Sequence, residues 1–284
     1  MQDAAKNWKN APKWVVLLGD ASLDPRNYFG TGASDYVPTK IVITTGLKTA
    51  SDGWFTDFNG DGVEDIAIGR LPVQTAADAN AMVARITSRG TPSGAWANSA
   101  LFVADTPNTY DFPGVATSLV SMLPAGMTSQ TIRFDQSPDP HSATISAISS
   151  GQLLVNFIGH GSVEIWSESV FQSADAASLT NGSKLPVAIL MTCLNGYFHD
   201  PYSDSVAEAL LKAPNGGAVA VWASSTLTEP DQQAVMNREL YRQLFSNPSL
   251  TLGEAIVRAK LVVIDSDVKK SWMLFGDPSM KLRQ

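Results

Sequence analysis

The apolar positions of this chain fall into short, dense runs separated by polar, glycine-punctuated turns. Residues 13–19 (KWVVLLG), 100–104 (ALFVA), 152–158 (QLLVNFI), 184–192 (KLPVAILMT) and 218–223 (AVAVWA) are apolar at nearly every position rather than at alternate ones. Runs of this kind bounded by turn signals suit strands buried on both faces, as in a parallel sheet between helices. Shorter strands are predicted at 41–45, 66–69 and 127–134, and 272–275 leads into Gly276-Asp277-Pro278. Between these runs the apolar spacing becomes helical. Residues 75–89 have Thr75 as a cap, Asp78 in the first turn, and Ala79, Met82, Val83 and Ile86 on one face. Helices are also predicted at 115–123, at 141–150 (begun by Asp139-Pro140), and at 174–179, 204–212, 232–245 and 252–264. Residues 21–40 are rich in turn formers and read as a long loop. Strands alternating with helices predict an α/β fold with a doubly wound, mostly parallel sheet flanked by helices, in two subdomains. The stretch 90–95, rich in Gly, Pro and Ser, is the natural linker. It divides the chain into an N-terminal α/β subdomain (1–92), which reads as truncated, and a second subdomain (93–284).

Two of the buried runs end in turns that carry reactive side chains. The strand at 152–158 runs into His160 and the strand at 184–192 into Cys193. The 33 residues between them hold one crossover of loop and helix, so the two strands are expected to be neighbours. Reacting groups in open α/β sheets gather beyond the carboxyl ends of the strands. A thiol and an imidazole placed there suit acyl transfer through a thioester, with His160 moving the proton between the thiol and the leaving amine. The N–H groups of Gly161 and Cys193 are the expected oxyanion donors, and Asp105, ending another strand on the same edge, is the expected partner that orients the imidazole. His141 and His199 are expected at the surface, His199 with access to the cleft. Trp166 and Trp222 are expected to be packing residues. No G-x-S-x-G elbow is present.

Composition narrows the rest. The hydrophobic fraction is 44 % and the charged fraction 17 %, enough for a sizeable core. A net charge of −7 argues against a nucleic-acid partner or an anionic membrane surface. No apolar run approaches the roughly 20 residues of a membrane span. The first residues lack the apolar centre of a signal peptide and read as a start cut into a longer chain. The one cysteine excludes an internal disulfide and a multi-cysteine metal site. Nothing implies an organic cofactor. Residues 57–65 (DFNGDGVED) do match the first nine positions of an oxygen-ligand calcium loop, with Asp57, Asn59, Asp61 and Asp65 as side-chain ligands, a carbonyl from Val63, and Gly62 at the sharp turn. The twelfth position is Ile68 rather than Glu, so no helix-flanked EF-hand follows.

Taken together, VVLLGD (15–20), DIAIGRLPV (65–73), NFIGHGS (156–162), LPVAILMTCLNG (185–196), SVAEALL (205–211), AVAVWASST (218–226) and LFGDPSMKLR (274–283) are similar, in collinear order, to the gingipain-type cysteine peptidases of family C25. The resemblance spans nearly the whole chain and implies the caspase-like fold, with residues 93–284 as the catalytic subdomain. It implies a peptide or protein substrate, His160 as general base, Cys193 as nucleophile, and oxyanion donation by Gly161 and Cys193. Asp105 matches the family's third acid by its position at a strand end. Arginine-specific members carry an acid at the floor of the pocket for the P1 residue. Asp111 occupies the comparable place and Glu229 is a second candidate, so a basic P1 residue is implied. Further implications are bound calcium, a secreted or cell-surface setting, and a monomer that is part of a longer multidomain chain. The same active site would also serve a transpeptidase, in which an amine replaces water, and a module that has lost activity would keep the fold alone.

Overall fold

The continuous apolar runs become the centre of one eight-stranded sheet in the computed structural model, which describes residues 1–32 and 35–283. The strands are β1 (Trp14–Leu18), β2 (Ala67–Leu71), β3 (Ser99–Ala104), β4 (Thr128–Arg133), β5 (Leu154–Ile158), β6 (Val187–Met191), β7 (Ala220–Ser224) and β8 (Trp272–Phe275). Their order across the sheet is β1-β2-β8-β7-β6-β5-β3-β4. All neighbours are parallel except β7 and β8. The loop expected over 21–40 includes residues 33 and 34, which lie outside the described residues.

A strand buried on both faces has no polar side to offer, and that is what β5, β6 and β7 show: every residue in them is buried. Alternate residues feed two separate cores. Leu101, Val103, Val155, Phe157, Ala188, Leu190, Val221 and Ala223 face one core. It is completed by α1 (Ala76–Ser88), α3 (Pro140–Ser149) and α4 (Val206–Lys212), the first helix contributing Met82. Ala100, Phe102, Leu154, Ile158, Val187, Ile189, Met191 and Trp222 face the other, beneath α2 (Phe112–Val120), α5 (Pro230–Ser246) and α6 (Leu252–Leu261). Trp222 is fully buried against Trp272, and Trp166 stacks on Phe157 with ring centroids 4.2 Å apart. Both tryptophans are therefore packing residues, and neither lines the main cleft. Residues 13–19 depart from the pattern's expectation. β1 lies at the sheet edge, with Val16 and Leu18 exposed.

Helix starts follow local chemistry. Thr75 Oγ1 accepts the Asp78 N–H, and Asp139 Oδ1 accepts the Ser142 N–H ahead of Pro140. Ser205–Glu208 and Thr251–Glu254 form reciprocal capping boxes at α4 and α6.

The sheet does not stop at the linker. β1 and β2 come from the first 92 residues, and β8, from the far end of the chain, lies between β2 and β7. Arg89, at the end of α1, donates to the carbonyls of Lys281 and Leu282, each at 3.3 Å. No helix among the described residues is long and apolar enough to cross a membrane.

Candidate active site

The register of the sheet sets the site. β5 and β6 are adjacent and parallel, with Ile158 opposite Met191. His160 lies two residues past Ile158, and Cys193 two residues past Met191. Parallel neighbours are about 4.8 Å apart, so the two turns leave the sheet side by side at the same level. The ladder continues past the strand ends: Gly159 N–H donates to Met191 O at 3.2 Å, and Gly196 N–H donates to Ser224 O at 2.8 Å. Both side chains line one open cleft of about 400 Å³. Its other walls include Phe112 at the start of α2, Leu227–Glu229 after β7, Gln233 in α5, and Thr45 and Gly46 from the first 92 residues.

The Cys193 turn is tight. The Asn195 N–H donates to the Cys193 carbonyl at 2.7 Å, an i→i+2 bond around Leu194, whose φ is +59°. A branched side chain in the left-handed region costs on the order of 1–3 kcal/mol and persists only where the surroundings enforce it. Here the enforcement comes from Leu194 N–H donating to Thr226 O and from Asn195 Nδ2 donating to Ser162 O at 2.5 Å. The turn leaves the Cys193 N–H with no acceptor among the described residues. Cys193 is half-buried, and its Sγ faces Thr228, which donates its N–H at 3.4 Å and accepts the thiol at 3.6 Å. Gln233 Nε2 holds Thr228 in place through its Oγ1 (2.9 Å) and carbonyl (3.1 Å). Burial pushes the thiol pKa up, the Thr228 N–H offsets part of that, and the Glu229 carboxylate adds to it, so the resting side chain is the neutral thiol.

The His160 turn is more open. The glycines on either side are required by close approach: a Cβ on Gly159 would lie 2.5 Å from the Asp105 Cβ, and one on Gly161 2.6 Å from Thr192 Oγ1. Gly161 then opens a short hairpin to Ile165–Trp166. The His160 ring is exposed and packs edge-on against Phe112, with centroids 5.1 Å apart.

Asp105 does not orient that ring. It stands one residue past β3, buried, with Oδ2 accepting the His160 backbone N–H at 2.9 Å and Oδ1 accepting the Thr106 N–H at 2.7 Å. Its role is to fix the backbone of the turn, and the side chain that meets the imidazole is Asn108. Asp111 is also spent elsewhere. Its Oδ1 caps α2 by accepting the Gly114 N–H at 2.9 Å, and it is not among the cleft's lining residues. Glu229 does line the cleft, with Asp265 and Asp267, two acids that the apolar pattern gave no reason to select. His199 departs furthest from expectation. It is fully buried outside the cleft, packed at a tilt against Tyr197 with ring centroids 4.0 Å apart, and its Nε2 accepts the Ala50 N–H at 3.2 Å. Burial, with the charge of Arg70, pushes its pKa down to about 3. His141 is at the surface as expected, paired with Asp175 at 3.2 Å.

In the 57–65 loop the side-chain oxygens accept backbone N–H groups of the same turn. Asp57 accepts the Gly60 and Gly62 N–H groups, Asn59 that of Asp61, Asp61 that of Val63, and Asp65 that of Phe58. Glu64 turns inward to pair with Lys260 at 2.5 Å. No group of three or more Asp, Glu, His or Cys side chains among the described residues is placed to hold an ion.

Comparison with known proteins places this geometry. The model of the family described as "Peptidase family C25" matches residues 1–283. Gingipain R2 and gingipain R1 of Porphyromonas gingivalis are each 31 % identical to this chain over 153 residues, or 49 % of its length. The chain spans only 21 % and 15 % of those two relatives. The crystal structure of the Arg specific cysteine proteinase gingipain R superposes with a TM-score of 0.81 at 22 % identity, covering 97 % of this chain and 65 % of that one. A Saccharomyces cerevisiae separase–securin complex shares the fold more distantly, with a TM-score of 0.54 at 15 % identity over 75 % of this chain and 14 % of that one. The fold is thus the caspase-like sheet of gingipain, and the chain belongs to peptidase family C25.

Proposed function

We propose that this chain is a cysteine endopeptidase acting through a thioester on Cys193. The observation that carries the reading is the shared register of the two turns, which delivers His160 and Cys193 to one cleft. In the proposed cycle His160 takes the Cys193 proton as Sγ attacks the scissile carbonyl. The developing oxyanion accepts from the Cys193 N–H and from that of Gly161. Collapse expels the amine, which receives the proton from His160, and leaves the acyl group on Sγ. Water, deprotonated by His160, then attacks the thioester, and the acid product and the free thiol are released.

We further propose a basic residue at P1. Glu229 lies on the cleft wall with no cationic partner among the described residues, and a carboxylate there suits a guanidinium or ammonium group. The solved gingipain R, which shares this fold, is itself described as Arg specific. A secreted or surface-bound setting, and a place within a longer chain, belong to the same reading. Calcium at residues 57–65 is a separate proposal, supported by the alternating oxygen side chains of Asp57, Asn59, Asp61 and Asp65 on one Gly turn.

The test is a fluorogenic peptide panel scanned at P1. Cleavage is expected after Arg or Lys and is expected to fall at least a thousandfold in Cys193→Ala, with the fold retained. Undiminished cleavage by Cys193→Ala refutes the reading. Transfer of the acyl group to an added amine in preference to water would make the enzyme a transpeptidase on the same thioester.

A further inference from the structure

The polar side chain that meets the His160 ring is an amide. Asn108 Nδ2 lies 3.0 Å from His160 Nε2. The amide is not free to turn, because its Oδ1 accepts the Tyr110 N–H at 2.9 Å and the Thr109 hydroxyl at 3.4 Å. The Asn108 N–H donates back to the Tyr110 carbonyl at 3.2 Å. Reversing the amide would set its NH₂ against the Tyr110 N–H. Nδ2 can only donate, so Nε2 is the acceptor and the proton of the neutral ring is on Nδ1. Phe112, edge-on to the ring, limits its swing.

The consequence is the same whichever ring nitrogen faces the sulfur. Were Nε2 to take the thiol proton, its lone pair is already engaged by Asn108. Were Nδ1 to take it, that nitrogen already carries a proton. An imidazolium fares no better, since its Nε2–H would oppose the Asn108 N–H. The charged and titratable groups around this point are Cys193, Glu229, Asp265 and Asp267 across the cleft, and Asp105 beneath the His160 backbone. Glu168 lies beyond them on Thr106, and Asp111, Asp231 and Arg238 act around Tyr110. None of the carboxylates hydrogen-bonds the ring among the described residues, so nothing there opposes the amide.

The geometry points to Asn108 as a positioning residue that holds His160 and Cys193 in their neutral resting forms, and that must turn over or be displaced, as a bound peptide would do, before the thiol can ionise. With the amide reversed, Nε2 takes a proton from solvent and donates it to Oδ1 while Nδ1 releases its own proton to solvent, so the ring stays neutral and the Nδ1 lone pair is open to the thiol proton. This rests on the peptidase reading of the pair, but its test does not require peptide cleavage.

Asn108→Asp is nearly isosteric and keeps an acceptor for the Tyr110 N–H, but it presents an oxygen to Nε2. A carboxylate there favours the imidazolium and therefore the thiolate. Alkylation of Cys193 by iodoacetamide across a pH series is expected to be about tenfold faster at pH 7 in this variant. The midpoint of its pH profile should move down by about one unit. Asn108→Leu, which removes the N–H without adding charge, is expected to give a smaller gain. Profiles that superimpose on the unmodified protein, or slower alkylation in both variants, overturn the proposal. The imidazole ¹⁵N spectrum of the unmodified protein decides it independently of any variant's folding: a proton on Nδ1 supports it, and one on Nε2 contradicts it. A shifted alkylation profile in a protein that cleaves no peptide would leave Asn108's role standing and sink the peptidase reading instead.

Discussion

At one site beyond the sheet's carboxyl edge, an exposed imidazole is held by a single amide and an aromatic edge, and a half-buried thiol is held by the backbone N–H and carbonyl of Thr228. At a second, His199 is buried beside an arginine, with Nε2 accepting the Ala50 N–H and Nδ1 enclosed without a partner among the described residues. Arg70, fully buried, grips both Asp52 oxygens at 2.6 and 2.8 Å and the carbonyls of Gly19 and Val37, with its guanidinium 4.8 Å from the Phe198 ring. Both regions contain a histidine and a carboxylate. The difference is what the groups have left to offer. In the buried junction Arg70 and Asp52 spend their donors and acceptors within the chain, and solvent is excluded from all of it, which ties the first two strands to the rest of the sheet. The cleft leaves the Cys193 N–H, the Glu229 carboxylate and the sulfur for something that is not part of the chain.

The comparison breaks most forcefully at Asp52. Asp52→Ala leaves the Arg70 charge buried and unpaired, which should cost about 3–5 kcal/mol in denaturant unfolding. Loss of less than about 1 kcal/mol would mean that the junction is not structural. Next is pH. His199 has a pKa of about 3 when folded and an ordinary one near 6.5 when unfolded, so the unfolded chain binds the extra proton between those values. Its contribution is fully present above about pH 6.5 and is lost at about 1.4 kcal/mol per unit as pH falls below that. His199→Gln should flatten that slope, and an unchanged slope would assign it to other groups. Smaller again is Glu229→Gln, expected to lower kcat/KM about tenfold for basic P1 residues while sparing neutral ones. An equal loss for both would remove Glu229 from specificity. The smallest effect is calcium: a chelator is expected to lower Tm by a few degrees at most, and no shift at all would withdraw the ion from residues 57–65.

The fold was largely legible because burial on both faces writes itself into sequence as unbroken apolar runs. The strands bearing His160 and Cys193 end where those runs end, and their shared register follows from neighbouring parallel pairing. The capped helix starts were legible too, since Thr75, Asp139, Ser205 and Thr251 act within a few residues of themselves. What was not legible depends on long-range placement. Asp105 and Asp111 sit where an orienting acid and a specificity acid were expected, but nearer backbone N–H groups claim both carboxylates. Asn108 lies in a run of turn formers, and only its Asx-type bond to the Tyr110 N–H is local. Its hold on a ring 52 residues away is not. His199, in a polar loop, gave no sign that Ala50 and Arg70 would enclose it. β1 looked like a central strand, because an edge strand with one uncovered face carries the same apolar letters.

The central claim is that Cys193 carries the acyl group between the two halves of the reaction. Rapid acid quench during turnover of a slow ester of a basic amino acid, followed by mass spectrometry of the digest, reads this directly. The account predicts the acyl mass on the peptide containing Cys193 and its absence in Cys193→Ala. Sustained turnover with no adduct on Cys193 would contradict it.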